Sequence, residues 1–527
     1  MHVLESVVVL LTSVLALTWA ARRLHASEPL VLLAGGCLIG LIPYYAGFAL
    51  PHELILQLFL PALLYWESLN TSLRRAASDL RSIALQATGL VVATAVAVAA
   101  VAHGLHYPWP LGLLLGAVLA PTDATAVAAV ARGMPRRTLT LLRTESLLND
   151  GTALVLLAVA VQLAADHRSL TWTGALAALV VAFAGGIAVG AVVGVLLLAV
   201  RRRLDDPLLH SGLSVATPFL AYLPAELAHA SGVLAVVVCG LTTSRYGSRV
   251  IGSQARLQAV AFWQVASFLV NGALFVLVGI QLPAAARALP APSLVTATAT
   301  AVAVAATVVG TRLAWFYTVP YLVRALDRRP GQRVRRIGAR QRLPLAWAGM
   351  RGAISLAAVL AVPAVTADGS PLPQRDTLVF ITAVVTITTL AVLGPTLPAV
   401  VRHARFPEDV SSADEARFAL RYIADRALHA LPALTPGDLP EHLTAPIAAE
   451  LRAHTGPEAA QPAGGHPGLR TLRHDLIGVK RAALMELGDR SRIDDAVLRR
   501  IQHLLDVEEA RLLVTHPARP AGPNGKG

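Results

Sequence analysis

The stretch RTESLLNDGTALVLL, residues 143–157, sets two carboxylates, Glu145 and Asp150, at the mouth of an apolar run that continues to Val161. An ionised carboxylate at the centre of a bilayer costs on the order of 2.5–3.5 kcal/mol even on a mild insertion scale. What such an acid is doing in a helix of lipid length is the question on which the reading of this chain turns.

The whole chain shares the apolar character of that run. Of 527 residues, 55% are hydrophobic and only 15% charged, and the mean hydropathy is +0.60. A soluble protein of this size carries more charge. Runs rich in Ala, Val and Leu recur almost to residue 402, and many reach the ~20 residues that a span needs. The composition therefore describes an all-α polytopic membrane protein. The net charge of +13 does not indicate nucleic-acid binding, because the basic residues sit between apolar runs rather than on one soluble face. Cys37 and Cys239 both lie inside apolar runs and can build neither a disulfide framework nor a zinc site. No cofactor is expected. The first run, VLESVVVLLTSVLALTWA, lacks the basic start of a signal peptide and reads as a retained first helix.

Period and helix breakers predict thirteen spans. They fall near 2–20, 29–43, 53–70, 82–103, 110–131, 143–164, 172–200, 211–229, 231–243, 258–282, 292–322, 344–364 and 376–402. Pro218 and Pro224 interrupt the eighth, and its separation from the ninth is weak. Alternate loops hold 23 arginines, from Arg22 and Arg23 to the eight between Arg324 and Arg342, while the intervening loops hold only Arg168, Arg287 and Arg375. This positive-inside bias puts the N-terminus outside and the C-terminus in the cytoplasm of a multi-pass protein of the cell membrane.

Residues 1–402 thus form the transmembrane domain and 403–527 a cytoplasmic tail. The tail reads as an amphipathic helix after a Ser/Asp-rich start, a Pro/Gly-rich stretch from Pro432 to Gly468, two further helices and a disordered end, PARPAGPNGKG. It shows no nucleotide loop, catalytic triad or metal cluster, and its role is left open between regulation, dimer contact and an inert appendage. Gly186, Gly190 and Gly194 share one face of the seventh span, a surface for close packing within or between protomers.

Ionisable residues inside spans are functional candidates by default. Here they are Glu67 in FLPALLYWESLN, Asp123 in LAPTDATAVAAVA, Glu145 and Asp150 in ESLLNDGTALV, Arg312 in VVGTRLAWFY and Arg351 in AWAGMRGAISLAAV. Ser146 and Asp150 are one helical turn apart and share a face, while Glu145 and Asn149 share the neighbouring one. Pro121 breaks the fifth span just before its acid, and the glycines beside Arg351 invite an unwound stretch in the twelfth. Two interrupted helices in corresponding halves point to the midplane site of a secondary transporter.

PTDATAVAAV, ESLLNDGTALV, FWQVASFLVNGALFVLVGIQLP and GMRGAISLA together resemble bacterial sodium/proton antiporters of the monovalent cation:proton antiporter-1 family, in the family's order and across all thirteen spans. The resemblance implies an inverted-repeat fold with crossed, discontinuous helices, a second domain for dimerisation, and hence a homodimer serving pH homeostasis. It carries the family's ion and proton site onto Asn149 and Asp150, onto Thr122 and Asp123, onto Ser146, and onto the third-span acid Glu67. It maps a buried charge pair onto Glu145 and Arg312. Sodium is a hard cation that takes oxygen ligands, here Asp150, the Ser146 hydroxyl and the Thr122 carbonyl. Asp123 either binds the ion or caps the broken helix, the second being favoured, and Arg351 either stabilises helix C-termini at the crossing or closes an internal loop.

On this reading Asp150 is never a bare charge, because it holds either a proton or a cation. The chain is then no enzyme but an exchanger of Na⁺, or of K⁺ or Li⁺, against H⁺. Because position 149 is Asn rather than a second acid, the exchange is expected to be one-for-one and electroneutral. Two other classes fit less well. An intramembrane aspartyl protease needs two acids in adjacent spans, as Asp123 and Asp150 are, but also a Gly-x-Gly-Asp context that neither acid has. An ion channel wants an open polar lining rather than one titratable site, and a membrane sensor would signal through the tail.

Overall fold

The computed structural model describes residues 2–45, 54–71, 88–131, 133–165, 172–326, 338–363, 372, 374–406, 410–436, 439–453, 467–490 and 492–514. Among the described residues there is no strand. Several loop arginines that set the expected orientation, among them Arg74, Arg75, Arg81, Arg132 and those from Arg328 to Arg336, lie outside the described residues, as does PARPAGPNGKG.

The chain opens with α1 (His2–Arg23) and α2 (Glu28–Gly40), then a π turn (Ile55–Phe59) that runs straight into α3 (Leu60–Leu69). A first triple follows: α4 (Leu90–Gly104), then a helix broken into α5 (Trp109–Leu119) and α6 (Ala124–Val130), then the long α7 (Arg136–Ala165). Next come α8 (Trp172–Arg201), α9 (Pro207–Leu227), α10 (Gly232–Tyr246) and α11 (Ser253–Ala288). A second triple repeats the first: straight α12 (Ala291–Leu326), a helix broken into α13 (Ala339–Trp347) and α14 (Ala353–Leu360), and straight α15 (Arg375–Ala404). The two triples interlock, with α12 packed on α4 and α15, and α5 on α4 and α7. This is an inverted-repeat bundle with crossed, discontinuous helices.

Six helical stretches among the described residues are long and apolar enough to cross a membrane, and Glu28–Gly40 and Leu90–Gly104 are shorter apolar helices. The count of thirteen spans stays an expectation. One detail departs from it: α9 runs unbroken through Pro218 and Pro224. In a bilayer a helical proline is tolerated when side chains and neighbours take up the freed backbone groups. The glycine face of the seventh span packs within the chain. A Cβ on Gly190 would stand 2.4 Å from the Ala235 carbonyl oxygen, so only glycine lets α8 approach α10 this closely.

The chain divides into two compact units. The first holds Met1–Arg203, Gly212–Val250 and Phe262–Pro407 and contains the bundle. The second gathers Leu204–Ser211, Ile251–Ala261 and Glu408–Gly527, so it takes in short segments well upstream of the tail. Its helices are α16 (Val410–Leu434), α17 (Glu441–Arg452), α18 (Pro467–Asp489) and α19 (Asp495–Val514). α17 lies inside the Pro/Gly-rich stretch from Pro432 to Gly468. Pro440 precedes its first turn, and Ile447, Ala448 and Leu451 form a buried stripe that joins Leu431 and Leu472 in one core.

An ion network ties the upstream segment to α18 and α19. The Arg256 guanidinium makes a paired bond to Asp506, at 2.6 and 2.7 Å, and Arg481 bonds both Asp506 at 3.0 Å and Glu509 at 2.5 Å. Burial alone would push the Glu509 carboxyl upward, but the Arg481 hydrogen bond and charge overcome it and hold it below the usual carboxylate range.

Candidate ion site

The first break begins where Pro121 removes a backbone donor and ends where Asp123 starts α6. The Asp123 carboxylate accepts hydrogen bonds from the Thr125 and Ala126 amides at 2.9 and 3.0 Å and from the Thr125 hydroxyl, satisfying donors that a helix start leaves open. Its own amide donates to the Met350 carbonyl, at 2.9 Å, inside the second break.

The second break answers the first. Arg351 donates to the Pro121 carbonyl at 2.9 Å, and its amide donates to the Thr389 hydroxyl on α15 at 3.3 Å. Gly352 makes the close approach possible, since a Cβ there would overlap the Asp123 carboxylate. An acid from one repeat and an arginine from the other thus occupy the crossing, where each satisfies backbone that the other break exposes.

α7 runs past this crossing with its polar face inward. The Ser146 hydroxyl donates to the Thr122 carbonyl at 2.5 Å, and the Asn149 amide donates to the Thr122 hydroxyl at 3.4 Å. One turn beyond Ser146 lies Asp150, which is 0% exposed and whose carboxylate oxygens have no hydrogen-bond partner among the described residues. Glu67, Asp123 and Arg351 lie within its electrostatic reach. A cavity of about 70 Å³ has Ser146, one turn from Asp150, in its lining together with Glu67, Thr122 and Asp123. That is room for several waters, given that one needs roughly 10–15 Å³.

Glu145 belongs to a different environment on the same helix. It forms an ion pair with Arg312 at 2.9 Å, with both side chains almost wholly buried. Arg312 also donates to the Leu345 carbonyl and lies over the Phe316 ring, 5.1 Å from its centroid. This pair clamps α7 to α12 and to the end of α13.

Among the lining residues that escape the sequence reading are Ser267 and Asn271 on α11, and Ser355 on α14. Ser267 and Asn271 are four residues apart in an apolar helix, a spacing that puts both on one face and was the available signal. Among the described residues no three His, Cys, Asp or Glu side chains gather as a metal site.

Two broken helices crossing at Asp123, with a small polar-lined cavity there and a buried acid on the helix that passes it, define a secondary transporter. The transmembrane sodium/hydrogen exchanger family model matches residues 9–403, and the chain belongs to that family. It is 42% identical over 518 residues, 96% of each chain, to an uncharacterised Na⁺/H⁺ exchanger of Mycobacterium tuberculosis. It is 31% identical over 412 residues, 74% of this chain and 60% of the relative, to a sodium, potassium, lithium and rubidium/H⁺ antiporter of Bacillus subtilis. The structure of a sodium proton antiporter from Methanocaldococcus jannaschii matches with a TM-score of 0.58 at 16% identity, covering 77% of this chain and 100% of that one. The protein is a membrane-embedded monovalent cation:proton antiporter and not an enzyme.

Proposed function

We propose that the chain exchanges Na⁺ for H⁺ across the cell membrane by letting the two compete for Asp150. The supporting observation is the state of that side chain: fully buried, with neither oxygen bonded among the described residues, one turn from a hydroxyl that lines a cavity. A bare carboxylate there is costly, so the side chain carries a proton or pairs with a cation.

The Ser146–Thr122 contact supports a ligand role for both residues. Their oxygens stand 2.5 Å apart with a hydroxyl proton between them. A cation entering from the cavity takes the lone pairs of both, and the hydroxyl turns its proton away. Asp150 supplies the negative charge, and Glu67 faces the ion from α3. Asp123 already spends its carboxylate on the start of α6 and acts as a structural cap.

Asn149 has no proton to release, so one proton leaves for each cation bound and the exchange is electroneutral. By the arginine bias the N-terminus is outside and the tail cytoplasmic. The working form is a homodimer, as the family resemblance implies.

Purified protein in proteoliposomes with an imposed pH gradient tests the reading, with Na⁺, Li⁺ and K⁺ supplied in turn. The wild type moves protons when cation is added, with Na⁺ the most effective. Asp150→Asn abolishes this in a protein that still folds, and near-normal exchange by that variant refutes the mechanism.

A further inference from the structure

Ser355 is the third residue of α14 and lines the same cavity as Ser146 and Thr122. The residue is 1% exposed, and its hydroxyl is buried with no hydrogen-bond partner among the described residues. Hydroxyls inside helices normally avoid this state by donating to the carbonyl four residues back. Ser68 and Thr152 do so in this protein, at 2.6 and 2.8 Å. Ser355 has no such carbonyl, because position 351 lies in the break and Gly352 is extended, with φ −143° and ψ −153°. Burying a hydroxyl without a partner is unfavourable, and the packing alone would be served as well by alanine.

We infer that the Ser355 hydroxyl is a ligand for the transported alkali cation, contributed by the second repeat's broken helix to a site whose other ligands come from the first. The inference rests on the cation–proton competition proposed at Asp150. Ser146 and Thr122 meet the cation from α7 and the first break, and Ser355 meets it from the opposite break. The lone pairs of its hydroxyl replace part of the ion's hydration shell. Being fixed at a helix start, the hydroxyl also bears on which ion radius fits, which makes Ser355 a residue for cation affinity and selectivity rather than for proton release.

Thermal unfolding of the full chain in detergent tests this, with LiCl, NaCl, KCl or RbCl titrated at ionic strength held constant by choline chloride. Binding to the folded state raises the Tm as ion concentration passes the dissociation constant. Ser355→Ala needs about tenfold more Na⁺ for the same rise, the loss of one charge–dipole contact, and the order among the four ions changes. Ser355→Thr, which keeps the hydroxyl, retains the wild-type titration. A purely structural serine behaves differently: its alanine variant melts lower without cation but titrates as the wild type does. Superimposed wild-type and Ser355→Ala titrations, with Asp150→Asn showing no cation-dependent rise, overturn the ligand role while the Asp150 reading stands. A rise that Asp150→Asn retains overturns that reading and the inference with it.

Discussion

Glu145 and Asp150 stand on one helix, five residues apart, both acidic and both buried. Glu145 faces Arg312 at 2.9 Å and leaves no net charge in the bilayer. Asp150 has neither oxygen hydrogen-bonded among the described residues and sits one turn from a hydroxyl that lines a cavity. Burial and residue type are therefore poor guides to what an intramembrane acid does, and what lies opposite it is a better one. A fixed partner makes a clamp, and an unmet charge beside a cavity makes a place for an exchangeable one.

The largest effect that separates them is on transport. Asp150→Asn should eliminate cation-driven proton movement, and its melting temperature should be unchanged or higher, since it removes an acid with no fixed partner. Glu145→Gln should do the reverse in stability. It strands Arg312 in the membrane, at a cost of about 3–5 kcal/mol, read as a lower midpoint in thermal unfolding. If the two variants lose equal stability, the contrast between clamp and exchange site is wrong.

A smaller effect sharpens the clamp itself. Arg312→Gln alone should be as harmful as Glu145→Gln, but the double change Glu145→Gln, Arg312→Gln leaves no stranded charge. Its loss should be smaller than either single loss, so the three values should depart from additivity by at least the cost of one stranded charge, about 3–5 kcal/mol. Arg312 keeps its bonds to the Leu345 carbonyl in the Glu145 variant, which holds that single loss toward about 3 kcal/mol. Strict additivity would show that the ion pair contributes nothing to stability.

Much of this contrast is legible in the sequence. Pro121 before Asp123 and the glycines beside Arg351 announce the two breaks, because proline removes a donor and glycine permits close approach. What the sequence hides is of two kinds. Ser267, Asn271 and Ser355 sit in helices where such residues usually bond their own backbone, so their type says nothing until the fold places them on a cavity. The helix Glu441–Arg452 is masked by proline on both sides of its first turn, and local breakers outweigh a buried stripe only three residues strong. Arg256 is a further case: its bond to Asp506 spans 250 residues, and no local pattern foretells it.

The smallest expected effect is none at all, and it bears on Asn149. The acid pair of the contrast leaves one exchangeable carboxylate on α7, since Glu145 is held by Arg312 and Asn149 carries no acidic proton. If one Na⁺ replaces one proton at Asp150, no net charge crosses, and the membrane potential has nothing to act on. A mechanism that moved one net charge would gain or lose roughly 2.3 kcal/mol per 100 mV, enough to change rates several-fold. A thiocyanate gradient sets the potential without adding a cation that could compete for the site. Exchange rates in proteoliposomes at a fixed pH gradient should then be equal for inside-negative and inside-positive potentials. A several-fold difference would mean that a second carboxylate also carries a proton across. Glu67 is the first place to look, because it lines the cavity and one of its oxygens is buried without a partner among the described residues. Glu67→Gln would then remove the voltage dependence while leaving exchange in place.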